Sequence, residues 1–129
     1  MMKNAVLYDI VGPYVIATTE QWDYDNNVTQ LNKLFDGAVD VIGLRPAMDG
    51  QIGYDAWVRD DALETGNAGA YRIQFADEYF GMAFLPQSGK GIVVLGVDEE
   101  GNTFGLTPEQ TLEVQVNLSV APWKVADHD

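Results

Sequence analysis

Apolar residues recurring at every second position, in runs cut by glycine and proline, constrain the fold of this chain more than any other feature. Period-two alternation sends successive side chains to opposite faces, the signature of strands half-buried on a sheet. Residues 5–11 and 14–19 read as two strands, with Gly12-Pro13 as the break between them. Residues 38–44 read as a buried strand ending at Arg45-Pro46, and Asp49-Gly50 is a strong turn signal. In 51–59, Ile52, Tyr54, Ala56 and Val58 alternate with Asp55, Trp57 and Arg59. In 70–76, Tyr71, Ile73 and Phe75 point inward, and Arg72 and Gln74 outward. Residues 79–85 carry apolar side chains on both faces, so that strand is either covered twice or offers a sticky face to a partner. The continuous run 92–97 suits a central strand, and 98–102 a hairpin turn with Gly101 at positive φ.

One helix is predicted at about 27–36. Asn26 or Asn27 can cap it, Val28, Leu31, Leu34 and Phe35 share a face, and Gly37 supplies a left-handed stop. Thr107-Pro108-Glu109-Gln110 has the form of a capping box, but no helical period follows it. Leu112, Val114, Val116, Leu118 and Val120 instead alternate with Glu113, Gln115, Asn117 and Ser119, which predicts a long half-buried strand ended by Pro122. The expected fold is therefore α+β and mainly β. It is a single antiparallel β-sandwich or barrel-like domain over 1–129 with one short helix.

Charge bounds the partners. Twenty acidic residues against seven basic ones give a formal charge of −13. This has three readings: solubility, a basic partner, or a halophilic source. Four lysines and three arginines, all dispersed, cannot neutralise a phosphate track, so neither direct nucleic-acid binding nor an anionic membrane surface is expected. The chain has no cysteine, which removes disulfides and thiol chemistry, and no apolar run long enough for a signal peptide or a membrane span. The expected location is the cytoplasm or the interior of an assembled particle.

Motifs for chemistry fail on inspection. The sole histidine, His128, is next to last. Asp23-Tyr24-Asp25-Asn26-Asn27 opens like a calcium loop, but Val28 and Leu34 stand where glycine and glutamate are required. Gln87-Ser88-Gly89-Lys90-Gly91 lacks the first glycine and the hydroxyl of a phosphate loop. Carboxylates adjacent in sequence (Asp60 and Asp61, Asp77 and Glu78, Glu99 and Glu100) point apart on a strand and form no ready catalytic pair. No catalytic residue, cofactor or metal site is predicted.

The expectation is a non-catalytic protein–protein interaction or assembly component, such as a subunit or accessory protein of a viral or mobile-element particle. The expected partner is another protein, with a basic or nucleic-acid-binding protein and a second copy of the chain both fitting the expectation. Candidate contact residues are Trp57, Tyr79, Phe80 and Phe84, with the turn acids Asp60, Asp61, Asp98, Glu99 and Glu100. Two alternatives stand beside this. One is an acidic inhibitor occupying a basic nucleic-acid-binding site, although the outer row Glu113, Gln115, Asn117, Ser119 carries one charge rather than four. The other is a small enzyme using carboxylates alone.

Overall fold

A computed structural model describes residues 3–22, 26–62, 64, 68–86 and 89–123, with only the backbone of Tyr79. Nine strands and two helices follow one another in this region: β1 (Asn4–Val11), β2 (Tyr14–Gln21), α1 (Asn27–Phe35), β3 (Val39–Arg45), β4 (Gly53–Arg59), β5 (Ala68–Phe75), β6 (Glu78–Pro86), β7 (Gly89–Val97), β8 (Thr103–Phe104), α2 (Pro108–Asn117) and β9 (Leu118–Pro122). All strand pairings are antiparallel. The larger sheet has the order β2-β1-β7-β4-β3, with β8 beside β7; the smaller has the order β6-β5-β9. Neither sheet closes into a barrel. The mainly-β, antiparallel α+β expectation holds, with two helices where one was expected.

The continuous apolar run at 92–97 is explained by layering. β7 lies inside the larger sheet, between β1 and β4, and is buried on both faces. Ile92 and Val94 enter a core between the two sheets, together with Val6, Tyr8, Ile10, Tyr54, Ala56, Tyr71, Ile73, Phe75, Leu85, Val114 and Leu118. Val93 and Leu95 enter a second core on the opposite face, under α1, with Ala5, Leu7, Trp22, Leu31 and Phe35. β1 splits in the same way, so its period two serves two cores at once.

The turns form where the sequence places them. Asp49 and Gly50 both take positive φ, 53° and 77°, and the chain folds back so that Met48 bridges Gln51. Gly101 sits at φ 85° in the β7–β8 hairpin, where the Asp98 carboxylate accepts from the N–H groups of Glu100 and Asn102. Those backbone donors, Asn102 first, hold the Asp98 carboxyl below its ordinary range.

Three sequence expectations are corrected. α1 is capped by Asn26, whose side chain accepts from the Thr29 N–H, but its left-handed residue is Asp36 (φ 55°) rather than Gly37. Aspartate tolerates that conformation better than most residues. Val28 also leaves the apolar face of α1 and is 52% exposed. The largest correction concerns 112–120, which is not one strand. Residues up to Asn117 form α2, and only Leu118–Pro122 is extended. The capping box is complete. Thr107 Oγ1 accepts from Gln110 N at 3.2 Å, and Gln110 Oε1 accepts from Thr107 N at 2.8 Å. Pro108 occupies the first helical turn, where its missing N–H costs nothing. A longer β9 would also lack a partner, because β5 ends at Phe75 and the chain turns through Ala76 and Asp77.

Candidate functional site

The smaller sheet has one covered face and one open face. Tyr71, Ile73, Phe75 and Leu85 point into the inter-sheet core. The register puts Ala70 opposite Phe84 and Arg72 opposite Met82 on the other face, with Ala121 opposite Arg72 on β9. Trp123 N donates to the Ala70 carbonyl at 2.9 Å, so the tryptophan continues the same row. The result is two cross-strand rows, Phe84–Ala70–Trp123 and Met82–Arg72–Ala121. Met82 is 47%, Trp123 39% and Phe84 37% exposed, and the Arg72 guanidinium lies 6.0 Å from the Trp123 ring centroid. No described element packs over these rows. An uncovered apolar patch on a sheet marks an interaction surface.

β6 is also an edge strand, since among the described residues it pairs only with β5. A register shift between Ile73 and Gln74 makes Phe80 the extra residue of a bulge, beside Gly81 at φ 91°. That shift lets Phe80 pack against the inter-sheet core together with Ala83, while Met82 and Phe84 face out. Next to β6 opens a cleft of about 250 Å³, lined by Ile42, Val58, Met82, Ala83 and Phe84, with Asp40 and Asp60 among its walls.

Of the other sequence candidates, Trp57, Asp98, Glu99 and Glu100 lie apart from this surface. Trp57 is half-buried against the core under α1, with its indole N–H enclosed and without an acceptor among the described residues. Asp60 belongs to the cleft beside β6. Asp61 accepts from Arg59 Nε at 2.5 Å, and that bond holds its carboxyl below the ordinary range. Glu99 and Glu100 are exposed at the tip of the β7–β8 turn. Tyr79 contributes backbone to β6, and its side chain lies outside the described residues, as do Asp23–Asp25, Gln87–Ser88 and His128. Trp22 is buried, and its indole N–H donates to Asn27 Oδ1 at 2.7 Å. The proposed outer row 113–119 does not exist, because those residues divide between a helix and a strand.

One polar cluster had no signal in the sequence. Arg45, at the end of β3, forks between Glu113 of α2 (3.2 Å) and the carbonyl of Ile52 (2.9 Å), with its guanidinium 4.5 Å from the Tyr54 ring centroid. The Tyr54 hydroxyl donates to the same Glu113 carboxylate. Burial first, and the carboxylate second, drive the phenol's pKa far up. The phenol and then Arg45 hold Glu113 below its ordinary range. Protons therefore stay on the tyrosine and off the glutamate at neutral pH. The arrangement clamps α2 onto the sheet. A cleft of about 390 Å³ opens beside it, lined by Leu44, Pro46, Phe75, Asp77 and Glu78 among others. Only the pairing of sites 68 positions apart creates this cluster, so no local pattern announces it.

Among the described residues, no group of three or more histidine, aspartate or glutamate side chains could hold a metal ion, and no helix is long and apolar enough to cross a membrane. In comparisons with known proteins, no family model, no curated protein and no solved structure matches the chain.

Proposed function

We propose that this chain is a non-catalytic protein-binding or assembly component, and that it meets its partner through the smaller sheet. The observation that carries the reading is the exposure of Met82 and Phe84 on a sheet face over which no described element packs, while the other face is a packed core. Burying such a surface removes apolar area from water, and this contribution persists when salt screens charge. The acidic-inhibitor reading rests on net charge alone.

The test is affinity capture from a lysate of the source, with the wild-type chain and a Met82→Lys/Phe84→Lys variant as parallel baits, washed at low salt and at about 0.5 M, where the Debye length is a few ångströms. A partner held by the wild type through the high-salt wash and lost by the variant supports the reading. A partner held equally by both baits sinks it.

A further inference from the structure

The open sheet presents two features, a face and an edge, and they imply different occupants. We infer that the edge is the docking element: β6 accepts an extended, basic segment of a partner protein as an additional strand, with a lysine or arginine seated in the cleft beside β6. This inference rests on the binding-domain reading above.

Backbone geometry carries the first part. Trp123 donates to the carbonyl of Ala70, so the peptide groups of Ala70 face β9 and not β6. In an antiparallel ladder the residue opposite, Phe84, then turns its own N–H and carbonyl away from β5. Two positions along, Met82 opposite Arg72 has the same orientation. The free edge thus offers donors and acceptors at Met82 and Phe84, the same residues whose side chains are exposed. Natural sheets blunt such edges with charge, proline or a bulge. β6 has its bulge at Phe80, but from Gly81 to Leu85 it carries neither charge nor proline, leaving that stretch open for strand addition.

The cleft carries the second part. Its lining is apolar at Ile42, Val58, Ala62, Ala83 and Phe84 and acidic at Asp40 and Asp60. The one cation in its wall, Arg59, is already paired with Asp61. An aliphatic stem tipped by a positive charge matches that lining better than an aromatic or an acid does. Charge also argues against a second copy of this chain, because self-pairing along β6 would draw Asp40 and Asp60 of two molecules, each at −13, toward each other.

The experiment is to pan a random twelve-residue peptide-display library on the whole chain and measure the recovered peptides against defined variants. The expected sequences alternate apolar residues with lysine or arginine. Their affinity should fall about tenfold or more between Phe84→Leu and Phe84→Pro, because proline removes the edge N–H that β5 does not use. Asp40→Asn/Asp60→Asn should weaken binding and flatten its salt dependence while leaving β6 unchanged and keeping an amide oxygen to accept from Val41 N, which keeps the test valid if the proline variant misfolds. Peptides that are acidic or helical, or that bind Phe84→Leu and Phe84→Pro alike, overturn the inference, as does recovery of no binder. If Met82→Lys/Phe84→Lys abolishes binding while Phe84→Pro does not, the edge is wrong and the sheet-face reading stands. If none of the variants matters, both fall.

Discussion

The helical state of 108–117 yields the sharpest prediction, because a strand and a helix assign opposite environments to the same side chains. Residues 112 and 116 lie one turn apart on α2, and Val114 lies across the helix from them. Accordingly Val114 is fully buried, while Leu112 is 61% and Val116 73% exposed. Complete burial of such a side chain is worth roughly 1.5–3 kcal/mol. Replacing both exposed residues, Leu112→Gln/Val116→Gln, forfeits only the covered share. That share is about 1 kcal/mol for the leucine and about 0.5 kcal/mol for the valine. Glutamine's better helix propensity than valine's returns a few tenths of a kcal/mol. The net cost should be about 1 kcal/mol. Val114→Ala removes two buried methyl groups and leaves a cavity, for roughly 2 kcal/mol. In a half-buried strand all three residues would share the core face, and the double glutamine variant would exceed about 4 kcal/mol once the buried amides are counted. Urea denaturation followed by tryptophan fluorescence and far-UV circular dichroism separates the two cases. A double variant that costs more than Val114→Ala would refute the helix assignment.

Four further outcomes are expected. Thr107→Ala should lower stability by about 1 kcal/mol through loss of the capping box, read as a drop in the urea midpoint. Asp55→Asn should stabilise the chain at pH 7 but not at pH 3: burial raises the Asp55 pKa, so the carboxylate's penalty is absent at low pH and sets in as pH rises above the ordinary aspartate range. The opposite sign holds for Glu113, whose lowered pKa gives a contribution present above the ordinary glutamate range and lost as pH falls through the folded value; Glu113→Gln should flatten the acid side of the stability profile. Gly53→Ala should leave little folded protein by circular dichroism, since a Cβ there would collide with the Arg45 carbonyl and lie 2.6 Å from the Ala47 nitrogen.

Alternation and turn chemistry made most of the strands legible, because each depends on local geometry. The strands read at 14–19, 51–59 and 70–76 stand at 14–21, 53–59 and 68–75, each opened by a proline, glycine or asparagine, with bounds that shift by up to two residues. Residues 112–120 were misread because alternation is also compatible with a helix that leaves half of its apolar residues in water. The arbitrating facts were the reciprocal bonds of Thr107 and Gln110 and the absence of a strand for a longer β9 to join. The first was visible in the sequence and discounted; the second depends on where β5 ends. The open edge was half legible. Residues 79–85 announced apolar side chains on both faces, but only the bulge at Phe80 decides which of them turn inward. Trp57 stands among the contact candidates because nothing in the sequence says that α1 covers the second face of the larger sheet.

The pairing of β1 with β7 has a consequence for how the chain is made. Val6 lies opposite Val94, 88 positions later, so the central ladder cannot close until most of the chain has been synthesised. At about 5–20 residues per second, that is a wait of roughly 4–18 seconds. Throughout it the β1–β2 hairpin, complete after Gln21, carries Val6, Leu7, Tyr8 and Ile10 with neither of their cores assembled. Ordering by such distant contacts is slow in solution as well. The nascent chain therefore passes through an interval in which the β1–β2 hairpin can form but has no core to cover its apolar residues. The overall excess of carboxylates, a formal charge of −13, is one way to survive it.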